Sequence, residues 1–118
     1  MLVDYTKVSH IYIVCGKTDM RRGIDGLASI IMEQYELDIY SDALFLFCGG
    51  SLNKFKALYW EGDGFLLLYK RFENGKLRWP RKQSEVKELT EQQMRWLLEG
   101  LAIEQKKKIA QAQPGFLS

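Results

Sequence analysis

Along the chain, short apolar runs typical of strands alternate with stretches whose apolar residues have the spacing of one helix face. HIYIVCG, residues 10–16, is rich in β-branched and aromatic residues and stops at a glycine, which predicts a buried strand. Thr18 is the candidate N-cap of the helix that follows. The apolar residues of that helix have the i, i+3, i+4, i+7 spacing of one face that packs on a sheet: Ile24, Leu27, Ala28, Ile31 and Tyr35.

The middle of the chain predicts several adjacent strands. ALFLFCGG (43–50) repeats the strand-then-glycine pattern, and FKALYW (55–60) follows after a short loop. Asp63-Gly64 and Asn74-Gly75 are turn signals flanked by strand formers. They predict an antiparallel meander of residues 55–60, 65–72 and 76–79, which Pro80 ends because it lacks the N–H for a ladder hydrogen bond.

The last third of the chain predicts a second helix. Thr90 and Gln93 in TEQQ form a capping-box pattern. The apolar face behind it consists of Met94, Leu97, Leu98 and Leu101. Beyond about residue 104 the apolar stripe is lost, and we expect fraying, with a helical extension to Ala110 as the alternative.

The order of these elements is typical of an α+β fold. We predict a mostly antiparallel sheet, with an amphipathic helix after the first strand and a C-terminal helix. A chain of 118 residues fits one domain, which we place at residues 1–104, followed by a basic, flexible tail at 105–118.

Composition excludes several classes of protein. No apolar run approaches the roughly 18 residues of a membrane span, and the start MLVDYTKVSH lacks a secretory signal pattern, so we expect a cytoplasmic protein. Cys15 and Cys48 each end an apolar run, which favours buried thiols over a disulfide. With His10 as the only histidine, a closed zinc site lacks its roughly four ligands, and we expect neither metal nor cofactor.

The sequence does not contain a convincing catalytic motif. Glu61 and Asp63 lie in a predicted tight turn, where Asp-Gly is explained by backbone geometry. No nucleophile elbow or phosphate-binding loop occurs, so we predict that the protein is not an enzyme. Trp60, Trp79 and Trp96 fall in periodic elements and are predicted to pack in the core.

Two basic stretches need an explanation. In TDMRRGIDGL, Arg21 and Arg22 would occupy the first turn of the helix, where cations are disfavoured by roughly 0.3–1 kcal/mol. Either Asp19 and Asp25 pair with them, or a phosphate from outside does, and the sequence leaves both open.

The other stretch is residues 51–82, with eight bases against three acids. If Asn74-Gly75 closes a two-residue turn, Arg71 faces Arg78 across the ladder, which is destabilising. Tyr69 lies on the same face, and Arg81 and Lys82 follow in the loop. Such a strip suits a polyphosphate backbone, although a solvated sheet face is the alternative.

Three ordered segments resemble one known family. TDMRRGIDGL, FKALYWEGDGFLLLYKRFENGKLRWP and LTEQQMRWLLEGL are similar to the small Orf2-like accessory proteins (TnpB) of bacterial IS66 insertion sequences, over roughly residues 10–103. The resemblance implies a protein that assists a separate transposase, by DNA binding or by contact with that transposase. The matching family positions are Thr18, Asp19, Met20, Arg21, Gly23, Asp25, Gly26, Lys56, Trp60, Gly62, Asp63, Gly64, Lys70, Arg71, Trp79 and Pro80.

One loop departs from the family pattern. Relatives commonly carry an arginine-rich loop before the Lys of the next strand, whereas this chain has GGSLN at residues 49–53. If that loop binds phosphate in relatives, this chain lacks part of the charge for that binding.

We therefore hypothesise a non-catalytic accessory protein that contacts DNA, at the ends of the element, through a basic face. The candidate DNA-binding residues are Arg21, Arg22, Lys54, Lys56, Lys70, Arg71, Arg78, Arg81 and Lys82. The alternative is a module that docks on the transposase without touching DNA. DNA binding requires Arg21, Arg22, Arg71 and Arg78 on one continuous face.

Overall fold

A computed structural model describes residues 3–105. Its elements are β1 (His10–Val14), α1 (Ile24–Ser29) continued by a π-helical turn (Ile30–Gln34), β2 (Ala43–Phe47), β3 (Lys54–Trp60), β4 (Phe65–Arg71), β5 (Val86–Leu89) and α2 (Glu91–Leu98). The predicted α+β class is confirmed. The predicted tail lies outside the described residues from position 106 onward, including the alternative extension to Ala110.

The five strands form one sheet in the order β4-β3-β2-β1-β5. The crossover through α1 makes β1 and β2 parallel, and the other three strand pairs are antiparallel. β3 and β4 form the predicted hairpin, in which the Glu61 N–H donates to the Gly64 carbonyl at 2.9 Å. The sheet is therefore mostly antiparallel, as the sequence predicts.

The sheet has an apolar core on each face. On one face the helix α1 packs through Leu27 and Ala28 against Phe45 and Phe47 of β2. We call this face the α1 side. On the other face, which we call the α2 side, Trp79 and residues of α2 cover Leu44 and Leu46. Every residue of β2 is buried because both of its faces are covered.

The predicted strand at 76–79 is wrong. Residues 77–80 instead cross the α2 side of the sheet, where Leu77 and Trp79 are buried. The Leu77 N–H donates to the Leu52 carbonyl at 2.7 Å, and the Trp79 indole N–H donates to the Val14 carbonyl at 2.9 Å. The segment crosses because the apolar side chains on this face must be covered. Arg71 consequently does not face Arg78.

The helix α1 begins later than predicted. Its N-cap is Gly23 rather than Thr18, and Thr18 is buried with its N–H bonded to the Cys48 carbonyl at 2.8 Å. Thr18 therefore fastens the preceding loop to the end of β2. Arg21 and Arg22 lie in that loop, before the first helical turn, so the expected conflict with the helix dipole does not arise.

The helix α2 starts where predicted and ends earlier. Thr90 and Gln93 form the capping box, but the helix stops at Leu98. Gly100 has φ +79°, and the N–H groups of Gly100 and Leu101 donate to the carbonyls of Leu97 and Trp96 at 3.0 and 2.8 Å. This is a Schellman termination, which glycine permits at low cost. Leu101 is therefore not on the helical face and is 42% exposed.

The cysteines and two of the three tryptophans differ in their burial. Cys15 and Cys48 are buried free thiols, as expected, and burial raises the pKa of each. Of the three tryptophans, Trp79 is buried, whereas Trp60 and Trp96 are half-buried. Within residues 3–105, no helix has the length and apolar character needed to cross a membrane.

Replacement of Trp79 by Phe tests the crossing segment. The variant keeps an aromatic ring in the core but loses the hydrogen bond to Val14, so we expect a loss of about 1–3 kcal/mol in the free energy of unfolding. Urea denaturation measures this loss. The matched control is Trp60→Phe, because Trp60 is half-buried against Tyr40 and Phe65. Equal losses in the two variants would contradict the role assigned to the indole N–H.

Candidate nucleic-acid interface

Asp19 organises the loop that carries Arg21 and Arg22. Its carboxylate accepts the Arg21 backbone N–H at 3.0 Å, and the Arg21 guanidinium binds both carboxylate oxygens, at 3.0 and 2.9 Å. The Arg22 N–H closes the turn on the Asp19 carbonyl at 3.1 Å. The expected internal partner of the arginines is therefore present for Arg21. Asp25, the other expected partner, has no ion pair within the described part of the chain.

These hydrogen bonds make the loop carboxyl a stronger acid. The Arg21 side-chain hydrogen bond, then the Arg21 backbone N–H, lower the pKa of Asp19 from 3.8 to about 2. Because the folded-state pKa lies below the ordinary value, the contribution of the pair to stability is present at neutral pH. It is lost as the pH falls from about 4 to about 2.

Lys56 holds the same loop against the sheet. Its ammonium donates to the Met20 carbonyl at 2.7 Å and to the Arg22 carbonyl at 2.9 Å. Lys56 therefore fixes the position of both arginines by binding the backbone carbonyls on either side of them. The sequence identified Lys56 as a phosphate candidate and did not reveal this second role.

Two glycines make room for the loop. A Cβ on Gly49 would lie 2.5 Å from Met20 Cγ, and a Cβ on Gly26 would lie 3.1 Å from Arg22 Cβ. Met20 therefore packs onto the chain just after β2, and the stem of Arg22 lies along α1. Gly49 belongs to the loop that departs from the family pattern, and here its small size is a packing requirement.

Five basic residues gather on the α1 side at one end of β3 and β4. Leu58 lies in the α1-side core, and alternate residues of a strand share a face, so Lys54 and Lys56 are on this side. Arg71 pairs with Lys54, and Tyr69 pairs with Lys56. We define the α1-side basic surface as Arg21, Arg22, Lys54, Lys56 and Arg71.

Most cations on this surface have partners within the chain, and the arginines remain exposed beside them. Arg71 lies directly opposite Lys54, and its guanidinium binds the Glu73 carboxylate at 3.0 Å. Arg22 makes one long hydrogen bond, from its guanidinium to the Gly26 carbonyl at 3.4 Å. The Tyr69 side chain beside them is 54% exposed. The surface therefore presents accessible cations around one aromatic ring.

The other four candidates lie elsewhere. Lys70 pairs with Phe55 in the α2-side core and lies 5.2 Å from the Phe72 ring centroid. Arg78 is exposed between the buried Leu77 and Trp79, on the α2 side. Lys82 is exposed in the loop before β5. The face required by the sequence hypothesis therefore includes Arg21, Arg22 and Arg71 but not Arg78.

Arg81 joins two loops. Its guanidinium donates to the Gly16 carbonyl at 3.1 Å and to the Gly49 carbonyl at 2.6 Å, and the residue is half-buried. It thereby connects the ends of β1 and β2. Nothing in the local sequence distinguishes Arg81 from Lys82, so sequence reasoning placed both on the same binding strip.

No cluster of three or more His, Cys, Asp or Glu side chains suited to a metal ion occurs between residues 3 and 105. His10, the histidine considered as a ligand, begins β1, and its Nδ1 lies 2.8 Å from a Glu88 carboxylate oxygen.

The Asp19 pair can be tested by carboxyl titration. In the native protein we expect an NMR titration midpoint for Asp19 of about 2. In Arg21→Gln the midpoint should rise toward 3.8 but stay below it, because the backbone N–H remains a donor. An unchanged midpoint would show that the guanidinium does not bind this carboxylate.

The different roles of Arg81 and Lys82 can be separated by stability measurements. Arg81→Ala removes two charge-assisted hydrogen bonds and should lower the free energy of unfolding by about 2–4 kcal/mol. The exposed neighbour provides the control, since Lys82→Ala should change it by less than about 0.5 kcal/mol. Chemical denaturation of both variants gives the comparison, and a stable Arg81→Ala protein would contradict the joining role.

Comparison with known proteins adds a family match. A family model described as IS66 Orf2 like protein matches residues 9–108. Two similar proteins come from Sinorhizobium fredii (strain NBRC 101917 / NGR234). "Uncharacterized protein y4hO" is 32% identical over 91 residues, 77% of this chain and 79% of that protein, and "Uncharacterized protein y4jC" is 26% identical over 91 residues, 77% and 78%. No solved structure matches the chain.

Proposed function

The chain belongs to the IS66 Orf2-like family, and from this membership we propose that this insertion-sequence accessory protein contacts DNA phosphates through the α1-side basic surface. The observation that carries the proposal is the convergence of Arg21, Arg22, Lys54, Lys56 and Arg71 on one side of the sheet. Three separate parts of the chain supply these residues.

Phosphate oxygens could replace the carboxylates that now bind the arginines of this surface. Arg21 and Arg71 bind Asp19 and Glu73 through ion pairs whose side chains are well exposed. Water and salt screen exposed ion pairs of this kind and leave them with little net stability, so a phosphate oxygen can replace the carboxylate at little cost. Arginine also binds phosphate in a bidentate manner.

The placement of Arg22 favours an external anion. Its stem is fixed along Gly26, and its guanidinium makes one long hydrogen bond to a carbonyl group. Lys54 and Arg71 lie opposite one another, so an anion between them would lower their mutual repulsion. Binding through such contacts follows the DNA backbone, so it is nearly independent of base sequence and strongly dependent on salt.

The remaining candidates take other parts in this proposal. Arg81 lies outside the α1-side basic surface and joins the ends of β1 and β2, whereas Lys70 and Arg78 belong to the α2 side and do not take part. No catalytic group is proposed, and strand chemistry is left to the separate transposase.

Docking on the transposase is the second candidate function. It is favoured by Tyr40, which is 56% exposed and packs on Trp60 and Phe65 at ring centroid distances of 5.0 and 5.6 Å. An exposed aromatic cluster of this kind is typical of protein contacts. All five acidic residues between positions 23 and 50 are exposed and supply further polar contacts for such a partner: Asp25, Glu33, Glu36, Asp38 and Asp42.

Paired charge reversals distinguish the two functions. Arg22→Glu with Arg71→Glu changes the α1-side basic surface, and Lys70→Glu with Arg78→Glu makes the same change in net charge on the α2 side. The fold should tolerate the first pair, because the new carboxylate at position 71 would lie opposite Lys54 and the side chain at position 22 is exposed. We expect the first pair to weaken DNA binding at least tenfold more than the second.

The measurement is fluorescence anisotropy of a labelled duplex that carries the terminal repeat of the element, at several salt concentrations. Native protein should show a linear fall of log affinity with log salt, with a slope for roughly three or more phosphates at about 0.9 per phosphate. Equal weakening by the two variants would contradict the assigned surface. No binding at low salt would favour transposase docking.

A further inference from the structure

We propose that β4 is a dimerisation edge, at which a second copy of this chain adds its own β4 in antiparallel orientation to form a continuous ten-stranded sheet. The proposal does not depend on DNA binding, although Arg71 belongs both to this edge and to the α1-side basic surface. It rests on the backbone hydrogen-bond pattern, the apolar character and the charge sequence of β4.

The hydrogen bonds of the β3–β4 hairpin show which backbone groups of β4 remain unpaired. The Phe72 N–H donates to the Asn53 carbonyl, and the Glu61 N–H donates to the Gly64 carbonyl, so these two opposed pairs are hydrogen-bonded. In an antiparallel ladder such pairs alternate with pairs that are not bonded to each other. The residues whose N–H and C=O groups point away from β3 are therefore Phe65, Leu67, Tyr69 and Arg71.

Of the features that usually protect an edge strand, this edge has only the charges of Lys70 and Arg71, near its end. It has seven residues in unbroken register with β3, without a proline or a bulge. Its first four residues, FLLL, are apolar and only half-buried. Within residues 3–105 no other strand pairs with its outer side. A long edge strand whose first four residues are apolar is a template for pairing with another strand.

The sequence of β4 is complementary to itself in an antiparallel register centred on Leu67. With Leu67 opposite Leu67 of the second copy, Phe65 lies opposite Tyr69 and Leu66 lies opposite Leu68. Arg71 then lies beside Asp63 of the second copy, so a cation meets an acid at each end. Residues directly opposite each other share a face, so the apolar residues match on both sides of the sheet and the charged pair lies on the α1 side.

Other pairings of the same strand are poorer. A parallel arrangement would place Lys70 and Arg71 next to their own copies. An antiparallel register centred on Leu68 would place Leu66 opposite Lys70 and Asp63 opposite Glu73. The register centred on Leu67 is free of both faults.

The dimer has a geometric consequence for the proposed function. Its two-fold axis runs perpendicular to the sheet, so both copies of α1 lie on the same side. The two α1-side basic surfaces then lie on the same side of the ten-stranded sheet, at opposite ends of the shared edge.

Cysteine cross-linking in the purified full chain, without DNA, tests the register. Leu67→Cys places two thiols across the axis, with Cα atoms about 5.5 Å apart, within the range of a disulfide. Leu66→Cys is the matched control, because its copies lie on a diagonal about 7–8 Å apart, too far for a disulfide. On mild oxidation we expect a covalent dimer for Leu67→Cys and not for Leu66→Cys or the native protein, whose cysteines are buried.

Solution mass gives a second, independent readout. Native protein should show twice the 13.8 kDa chain mass by light scattering at micromolar concentration. Tyr69→Pro removes an outward N–H without touching the β3 ladder and should halve that mass with an unchanged circular dichroism spectrum, whereas Tyr69→Phe should remain dimeric. A monomeric native protein, or cross-linking of Leu68→Cys in place of Leu67→Cys, would overturn the proposal.

Discussion

The burial of β2 on both faces is the constraint on which the rest of the structure depends. A strand whose five residues are all apolar must be covered on two sides, and a single helix covers only one. The crossover through α1 covers one face. The α2 side must be covered by chain that follows the β3–β4 hairpin. For this reason Leu77 and Trp79 cross the sheet there, and α2 packs beside them.

The same arrangement places the candidate interface at one end of the sheet. The carboxyl ends of β1 and β2 and the start of β3 meet there, together with the loop of Arg21 and Arg22. Arg81, Lys56 and Thr18 each bind backbone carbonyl groups at this end. The exposed cations are thus mounted on a loop that is held from several directions, which limits the entropy lost when a ligand binds.

The sequence predicts those features that depend on local rules. Short runs of strand-forming residues locate β1, β2, β3 and β4, the helical spacing locates the face of α1, and Thr90 and Gln93 mark the start of α2. Features decided by tertiary contacts are not predicted. KLRWP looks like a hairpin strand because its residues favour strands, but the need to cover the α2 side decides its position. Thr18 has the properties of an N-cap, but in the structure its N–H is bonded to the Cys48 carbonyl just after β2. The end of α2 could have been predicted from Gly100, because glycine at the end of a helical pattern favours a left-handed termination. The split of the basic residues between two faces follows from the crossing of residues 77–80 and could not be read from their spacing.

The pairing of β1 has a consequence for synthesis on the ribosome. β1 is the first strand to be made, yet one of its neighbours is β5, and the Val14 carbonyl is bonded to an indole 65 residues later in the chain. While β5 is still within the ribosome, the apolar HIYIVC run has an unpaired edge in the emerging chain. The hairpin of β3 and β4 contains only local contacts and can form before that edge is closed. Folding of this small protein is therefore completed only when nearly all of residues 3–105 have been released, and a chain truncated before β5 exposes its first strand.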